Sequence, residues 1–433
     1  LDDCQGKYRK FSYNFAKNNK MNGIEIMSPV GSFESLMAAI QGGADSVYFG
    51  IEQLNMRSRS SNNFTIDDLK NISDICKNNN VKTYITLNTV IYDDELELMK
   101  TIVCEAKKNN ITAIIASDLS VIEFAYNTGI EVHISTQCNI TNIEAVRFFS
   151  KYADVIVTAR ELSLNQVGNI IRKINEENIK GPNGEQLKIE VFAHGALCMA
   201  VSGKCYISLD NFNYSANRGA CIQPCRRSYI VNDKEQEIEL EIDNEYIMSP
   251  KDLCTIGFID KILKAGVKVL KIEGRGRSAE YVKTVTKCYK EAVKAYFDGQ
   301  YNDANISKWT KELKSVYNRG FWEGYYLGRK TGEWTEKYGS MATKQKVYIG
   351  KVTNYFSNLN VAEIKIETGN LETGDEIVIS GPTTGVYEDT VREIRVELLQ
   401  TNRADKGFTC SIPVNNIVRR NDKLYKLILS EEL

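Results

Sequence analysis

The feature that most restricts this chain's fold is a repeated alternation of short, nearly all-apolar β-type runs with amphipathic helical stretches, beginning near Met21. The runs are GIEIMSP from Gly23, SVYFG from Ser46, KTYITLNT from Lys82 and AIIAS from Ala113, then EVHIST from Glu131, VIVTAR from Val155, KIEVFAHG from Lys188 and VKVLKIEG from Val267. A run that is apolar on both faces must be covered on both, as in a parallel sheet flanked by helices. The gaps read as those helices. Ser32 can cap a segment with Phe33, Leu36 and Ile40 on one face and Gly42-Gly43 at its end. Thr65 with Asp68 has a capping-box pattern ahead of Leu69, Ile72 and Ile75. Residues 94–109 and 163–178 carry the same period. Eight such units in roughly 270 residues are the size of a closed (β/α)8, TIM-like barrel, here assigned to residues 21–299. A doubly wound open sheet is the competing arrangement.

The rhythm breaks once. After the run ending at Gly195 the next helix is expected from Lys251, in SPKDLCTIGFIDKILKAG. Residues 196–250 form a Cys-rich insertion that ends in a hairpin-like stretch, SYIVNDKEQEIELEIDNEYIMS. In a barrel the loop after strand seven opens on the catalytic face. Beyond a helix from Ser278 to Gly299, residues 300–343 read as a helical, aromatic linker or packing element with Trp309, Tyr317, Trp322, Tyr325 and Tyr326. Residues 344–433 change to short strands and turns (YIGKVTNY, NVAEIKIE, DEIVISG, KGFTCSIP, DKLYKLIL), which predicts a small all-β barrel or sandwich.

Residues 1–20 are polar and basic, lack the apolar core of a signal peptide, and are expected to be a leader outside the fold. Without an export signal the chain is expected in the cytoplasm, where its eleven cysteines serve as buried residues or metal ligands rather than disulfides. No apolar run is long enough to span a membrane. With 55 basic and 56 acidic residues, no global basic field exists, so a nucleic-acid partner would need a local patch. Lys344, Lys346, Arg419, Arg420 and Lys423 are candidates for one.

Cysteine spacing is the strongest chemical signal. Cys198, Cys205, Cys221 and Cys225 follow one another as C-x6-C-x15-C-x3-C, and Cys254 comes later in KDLC. Several thiolates in one inserted loop suit a 4Fe–4S cluster or a structural zinc. The spacing is not that of paired C-x2-C zinc knuckles. A metal-free buried loop is the alternative, and the surrounding Gly, Ser, Asn and Arg residues would make a poor dry core. Cys198, Cys205 and Cys221 belong to any ligand set, with Cys225 or Cys254 as the fourth.

Only two histidines occur, which excludes H-E-x-x-H zinc chemistry. His194 ends strand seven and is a candidate catalytic group or a satisfied core histidine; His133, mid-strand, reads as structural. Polar residues gather where strands end. Arg160, Glu161, Glu273 and Arg275 are candidate catalytic residues, and Asn88, Gln137, Lys271 and Arg277 candidate substrate-binding ones. Charges inside strand-like segments are costly unless paired or used. Glu273 between Lys271 and Arg275 is readable as a plain ion-pair network or as part of an anion-capturing surface, which Arg57, Arg59, Arg226 and Arg227 would extend.

The motifs HGALCMAVSGKCYIS, NRGACIQPCRRSY, MSPKDLC and KIEGRGRSAEYV, with the opening MSPVGSFESLMAAIQGGADSVYFG, together resemble the collagenase-like peptidase family U-32, over nearly the whole chain from Gly23. The resemblance implies a 4Fe–4S cluster on cysteines that map to Cys198, Cys205 and Cys221, with the fourth in the QPCR or the KDLC segment. Among the branches of that family, a barrel followed by one small β domain is similar to the tRNA uridine C5-hydroxylation branch. That branch implies tRNA as partner and a requirement for prephenate or a metabolite made from it. An anionic dicarboxylate would suit Arg160 and Arg275. Three functions follow: an RNA-modifying hydroxylase, which is the expected one; a peptidase, for which no nucleophile is evident; and a non-catalytic, cluster-binding accessory protein.

Overall fold

The structure, a computed structural model, describes residues 23–58, 63–230, 246–329 and 332–430. The expectations for residues 1–20, for Arg59 and for most of the hairpin-like stretch lie outside the described residues.

The eight apolar runs are strands, and they close on themselves. β1 (Glu25–Pro29), β2 (Ser46–Gly50), β3 (Lys82–Leu87), β4 (Ala113–Ala116), β5 (Glu131–Ile134), β6 (Val155–Val157) and β7 (Lys188–Gly195) lie side by side in chain order. After a short extra strand, β8 (Asp252–Cys254), the last barrel strand β9 (Val269–Ile272) pairs in parallel with both β7 and β1. The ring is closed, so the open doubly wound sheet is eliminated.

Helices α1 (Phe33–Gln41), α2 (Asp68–Asn78), α3 (Leu96–Lys108), α4 (Leu119–Thr128), α5 (Ile143–Phe149) and α6 (Leu164–Glu176) follow β1 to β6 in turn. Their ends are set locally: Ser32 accepts from Ser35 N at the start of α1, and Ser163 exchanges capping bonds with Gln166 at the start of α6. At α2 the pattern is half of a box, with Asp68 Oδ2 accepting from Thr65 N at 2.8 Å. α7 (Ile207–Phe212) belongs to the insertion, α8 (Ile259–Lys264) precedes β9, and α9 (Ala279–Phe297) follows it. The helix expected from Lys251 therefore starts later. Asp252–Cys254 instead pairs antiparallel with the end of β7, because tertiary pairing decides a three-residue segment that propensity cannot.

One apolar layer lies between ring and helices, and Met27, Tyr48, Tyr84, Ile115 and Val155 fill the inside of the ring. α10 (Asp303–Ser315) and the two-residue β10 (Phe321–Trp322), parallel to β8, pack on this barrel through Trp309, Leu313, Trp322 and Tyr326. The segment 300–343 is thus a packing element on the barrel.

The C-terminal region comprises β11 (Lys344–Phe356), β12 (Val361–Ile366), β13 (Asn370–Glu372), β14 (Glu376–Gly381) and β15 (Gly385–Thr390), then β16 (Ile394–Val396), β17 (Leu399–Thr401), β18 (Arg403–Asp405), β19 (Thr409–Pro413) and β20 (Lys423–Leu429). Eight of these form one antiparallel sheet, ordered β15-β14-β20-β11-β12-β19-β16-β17, and β13 pairs with β18. Ile349, Ile364, Ile379, Ile412 and Leu424 share a core separate from that of the barrel. The two units are joined across α1 and α9. Gln41 donates to Thr384 O and accepts from Val386 N, both at 2.9 Å, and Lys283 pairs with Glu388 at 2.7 Å.

Candidate functional site: the barrel mouth

In a parallel barrel, residues just past the strand ends converge on one face. On that face Glu273, following β9, accepts from Arg57 Nη2 of the β2 loop at 3.1 Å. Burial alone would push the Glu273 carboxyl up, but Arg57, Arg277 and Arg160 outweigh it and hold the group below the usual carboxylate range. Arg275 is enclosed, and its Nη1 donates to Asn55 Oδ1 at 3.0 Å and Thr86 Oγ1 at 2.7 Å. Burial lowers this guanidinium to about 10. Arg275 is consequently engaged in tying the β2 loop to β3, not in facing a substrate. Arg277 lies 3.5 Å over the Tyr317 ring.

Arg160 differs from these. Its guanidinium lies 3.9 Å over Phe192 and Nη1 donates to Ala196 O at 3.3 Å, while Nε is buried with no hydrogen-bond partner. A buried donor left unmade is costly, so Arg160 has capacity for an added acceptor. Its neighbour Glu161 is exposed on the following turn. Asn88 and Gln137 meet across the mouth, Asn88 Nδ2 to Gln137 Oε1 at 2.9 Å. Lys271 lies deeper, inside the ring, 2.7 Å from Glu190. It supports the floor of the mouth rather than lining it.

The two histidines leave the mouth altogether. His194 is 1% exposed, packed between β7 and α9 against Tyr281, Tyr289 and Phe321, and burial lowers its pKa to about 3. Proton transfer at neutral pH from that position has no path to a substrate, so the catalytic expectation for His194 is withdrawn. His133 lies against Tyr84 inside the ring, their planes tilted by 54°, with Glu131 Oε1 at 3.1 Å from Nε2, in keeping with a structural role.

The insertion roofs the mouth. Asn139 Nδ2 reaches Ser202 O at 3.3 Å, Val90 N donates to Asn217 O at 3.3 Å, and Arg218 pairs with Glu95. Arg226 holds its two ends together, donating to Leu197 O at 2.6 Å and to Pro250 O at 2.5 Å. Behind it Asp252 faces Arg319 at 3.5 Å. Within this roof Cys198, Cys205, Cys221 and Cys225 lie in one another's electrostatic field. Burial first, with the other thiols adding, pushes Cys225 up to about 11, although Arg226 acts against this. Arg57 feels Cys198 and Cys221. Cys254 stands apart: its thiol is 4.0 Å from Tyr289 Oη, and its charged neighbours are Asp252 and Lys314.

The chemistry of this donor set is that of thiolate ligation, and its spacing in space is not yet that of a closed site. All four donors are sulfur, with Arg57 and Arg226 near enough to offset their negative charge, but among the described residues no group of three or more His, Cys, Asp or Glu side chains is gathered closely enough to hold a metal ion. Asn55, Thr86 and Ser135 take part in the mouth without having been singled out from sequence. Thr86 could have been found by its period-2 relation to Asn88, whereas Asn55 lies in an irregular loop with no pattern to mark it.

A closed parallel barrel whose charged and amide residues collect at the C-terminal mouth, beneath a Cys-rich insertion, defines a (β/α)8-barrel protein of the enzyme type. Residues 31–336 match the model of peptidase family U32. The chain belongs to that family. It is 59% identical over 412 residues to a protein named collagenase from Porphyromonas gingivalis, covering 95% of this chain and 100% of that one. It is 30% identical over 378 residues to tRNA hydroxylation protein P1 of Bacillus subtilis, covering 86% of each. A solved U32 peptidase aligns with a TM-score of 0.38 and 11% identity, over 60% of this chain and 96% of that one. Among the described residues no helix is long and apolar enough to cross a membrane.

Proposed function

We propose that the protein is an RNA-modifying enzyme that hydroxylates a pyrimidine at C5, most specifically a wobble uridine of tRNA, with a 4Fe–4S cluster held by Cys198, Cys205, Cys221 and Cys225. The observation that supports this reading is that the insertion over the barrel mouth carries four thiols, spaced C-x6-C-x15-C-x3-C, with Arg57 and Arg226 in their electrostatic reach. When bound, such a cluster supplies one-electron transfer. Replacing C5–H by C5–OH adds one oxygen atom and removes two electrons, which a co-substrate acting as oxygen donor and electron acceptor must balance, so an electron-transfer group has a purpose here that peptide hydrolysis would not give it. The chain's own residues bind and orient. Arg160 offers donors to a carboxylate, as a prephenate-like anion would present, and the Arg57–Glu273 pair braces the β2 loop against β9. Arg275 positions the β2 loop against β3, and Cys254 is the alternative fourth ligand to Cys225.

The RNA partner is supported by the relative named for tRNA hydroxylation. The basic face expected on the C-terminal sheet is weaker than its composition suggests: Lys344 pairs with Glu376, and Lys346 with Glu280 of the barrel at 2.6 Å. Arg419, Arg420 and Lys423 are exposed. A second reading, peptide-bond hydrolysis, is favoured by the higher identity to the collagenase-named protein. It requires an activated nucleophile, and both histidines of the chain are buried away from the mouth.

Anaerobic purification of wild type and of Cys→Ala variants at 198, 205, 221, 225 and 254, with iron and sulfide analysis, tests the ligand set. Iron and sulfide are expected to fall in the first four variants and to persist in Cys254→Ala. Mass spectrometry of tRNA nucleosides from a host lacking the gene, with and without the plasmid-borne protein, tests the reaction. A hydroxylated pyrimidine that returns with the wild type but not with Cys221→Ala supports it. Gelatin or collagen cleavage by an iron-free preparation, with no change in RNA, would establish the peptidase instead.

A further inference from the structure

The mouth contains a second recess of different chemistry from the arginine-rich side. Met56, Asn88, Ser117, Gln137, Lys204 and Tyr206 line a cavity of about 180 Å3 over the ends of β3, β4 and β5. Among the described residues no arginine lines it. Asp118 is also at its wall, with Oδ1 accepting from Ser120 N and Oδ2 from Ile91 N, so that its carboxylate is already engaged. The volume is below that of sites for drug-sized ligands and suits a single-ring heterocycle.

The polar groups fix what kind of ring. Met56 N donates to Asn88 Oδ1 at 3.3 Å, which orients the Asn88 amide so that its Nδ2 points at Gln137. Gln137 Oε1 then accepts from Asn88 Nδ2 at 2.9 Å and from the Ser135 hydroxyl. With its oxygen held by two donors, Gln137 has its Nε2 hydrogens left for the cavity. Gly203 crosses above so closely that a Cβ there would lie 3.0 Å from Gln137 Cγ, and its φ of +75° is one that glycine adopts freely. The amide is therefore pinned from above as well as from the side. It presents a planar pair of donors, the complement of a ring carbonyl. At the rim Tyr206 is 71% exposed beside the exposed Lys204, an aromatic face next to a cation.

We propose that this cavity receives a pyrimidine base turned out of an RNA loop, with a base carbonyl accepting from Gln137 Nε2, Tyr206 against the ring and Lys204 toward the phosphate. The assignment rests on the RNA-modification reading and makes it more specific. It divides the mouth into an amide-lined half for the base and an arginine-lined half for an anion. The wall residues Lys204 and Tyr206 flank Cys205 in the sequence, so the cavity and the thiol-bearing insertion share one stretch of chain.

The test is binding of two fluorescent RNA hairpins to the anaerobically purified full chain, one with uridine at the centre of the loop and one abasic there. Wild type is expected to hold the uridine hairpin about tenfold tighter or more. Gln137→Glu, which replaces the donors with an acceptor, should erase that difference and leave the affinity for the abasic hairpin unchanged. Gln137→Met, of similar volume and without donors, should do the same, and serves if the Glu variant does not fold. Equal binding of the two hairpins by wild type, or a difference that survives in both variants, overturns the cavity assignment alone. Failure of wild type to bind either hairpin overturns the RNA reading with it.

Discussion

Lys271 Nζ lies 2.7 Å from Glu190 Oε1 inside the barrel, with the two side chains 7% and 0% exposed. Burial lowers the Lys271 pKa while the neighbouring Glu190 carboxylate works to raise it. Removing one partner leaves an uncompensated buried charge, which costs about 3–5 kcal/mol. Lys271→Met is expected to destabilise by that amount in urea unfolding, and Lys271→Met with Glu190→Gln to recover at least half. Equal losses from Lys271→Met with and without Glu190→Gln would show that the two are not coupled.

His194 gives a pH dependence of definite sign. Its folded pKa is lowered to about 3 from 6.5 by burial, so below pH 6.5 the unfolded chain takes up a proton that the folded chain refuses. Its contribution to stability is fully present above pH 6.5 and is lost as pH falls from 6.5 toward 3, at up to about 1.4 kcal/mol per pH unit. Chemical unfolding from pH 7 to pH 4 should show His194→Phe losing stability less steeply than wild type. Parallel curves would contradict the placement of this ring.

Arg160 has the unpartnered Nε, and an anion at the mouth should depend on it. Charge-assisted hydrogen bonds contribute about 1.5–3 kcal/mol, so Arg160→Gln should weaken prephenate binding by about tenfold or more in calorimetric titration. Arg275→Gln should mainly lower thermal stability, because its guanidinium bonds Asn55 and Thr86. The reverse assignment of the two effects would exchange their roles.

Gly385 sits where the C-terminal sheet meets α1. Its φ is +68°, and a Cβ would lie 2.6 Å from Gln41 Oε1. Gly385→Val therefore adds backbone strain and displaces the Gln41 clamp, a combined cost of about 2–3 kcal/mol. Differential scanning calorimetry should resolve the sheet as a separate, earlier transition in the variant, with Gln41→Ala intermediate. A single unshifted transition would mean that this seam does not hold the sheet.

The eight barrel strands were legible because each is apolar along its length, and the insertion because it interrupts their spacing. Burial on both faces leaves a mark on composition that survives without any knowledge of partners. β8 was not legible: Asp252, Leu253 and Cys254 are three mixed residues whose strand conformation comes from pairing with His194 and Gly195. β13, β16, β17 and β18 were missed for the same reason, being three residues each and set by turns. At the mouth, Arg160 and Gln137 were found from their positions after strands, but which arginine is already engaged was not. That depends on Asn55 and Thr86, 220 and 189 residues away along the chain from Arg275. His194 misled because strand seven is irregular there: the register with β9 shifts between Phe192 and His194, which turns its ring toward α9.

The pairing of β7 with β8 has a consequence for how such a protein can diversify. Gly195 and Leu253 are antiparallel partners, so the chain leaves the barrel and re-enters it at adjacent positions. Seen from the barrel, everything between them is a hairpin connection, whatever its length. Doubling such a loop adds only about 0.6 kcal/mol of closure entropy, a small tax on a stable ring. The roof that carries the cysteines and walls the amide-lined cavity is thereby a replaceable cassette. One scaffold can be refitted with a different roof, and with it a different chemistry, while every strand of the ring stays in register.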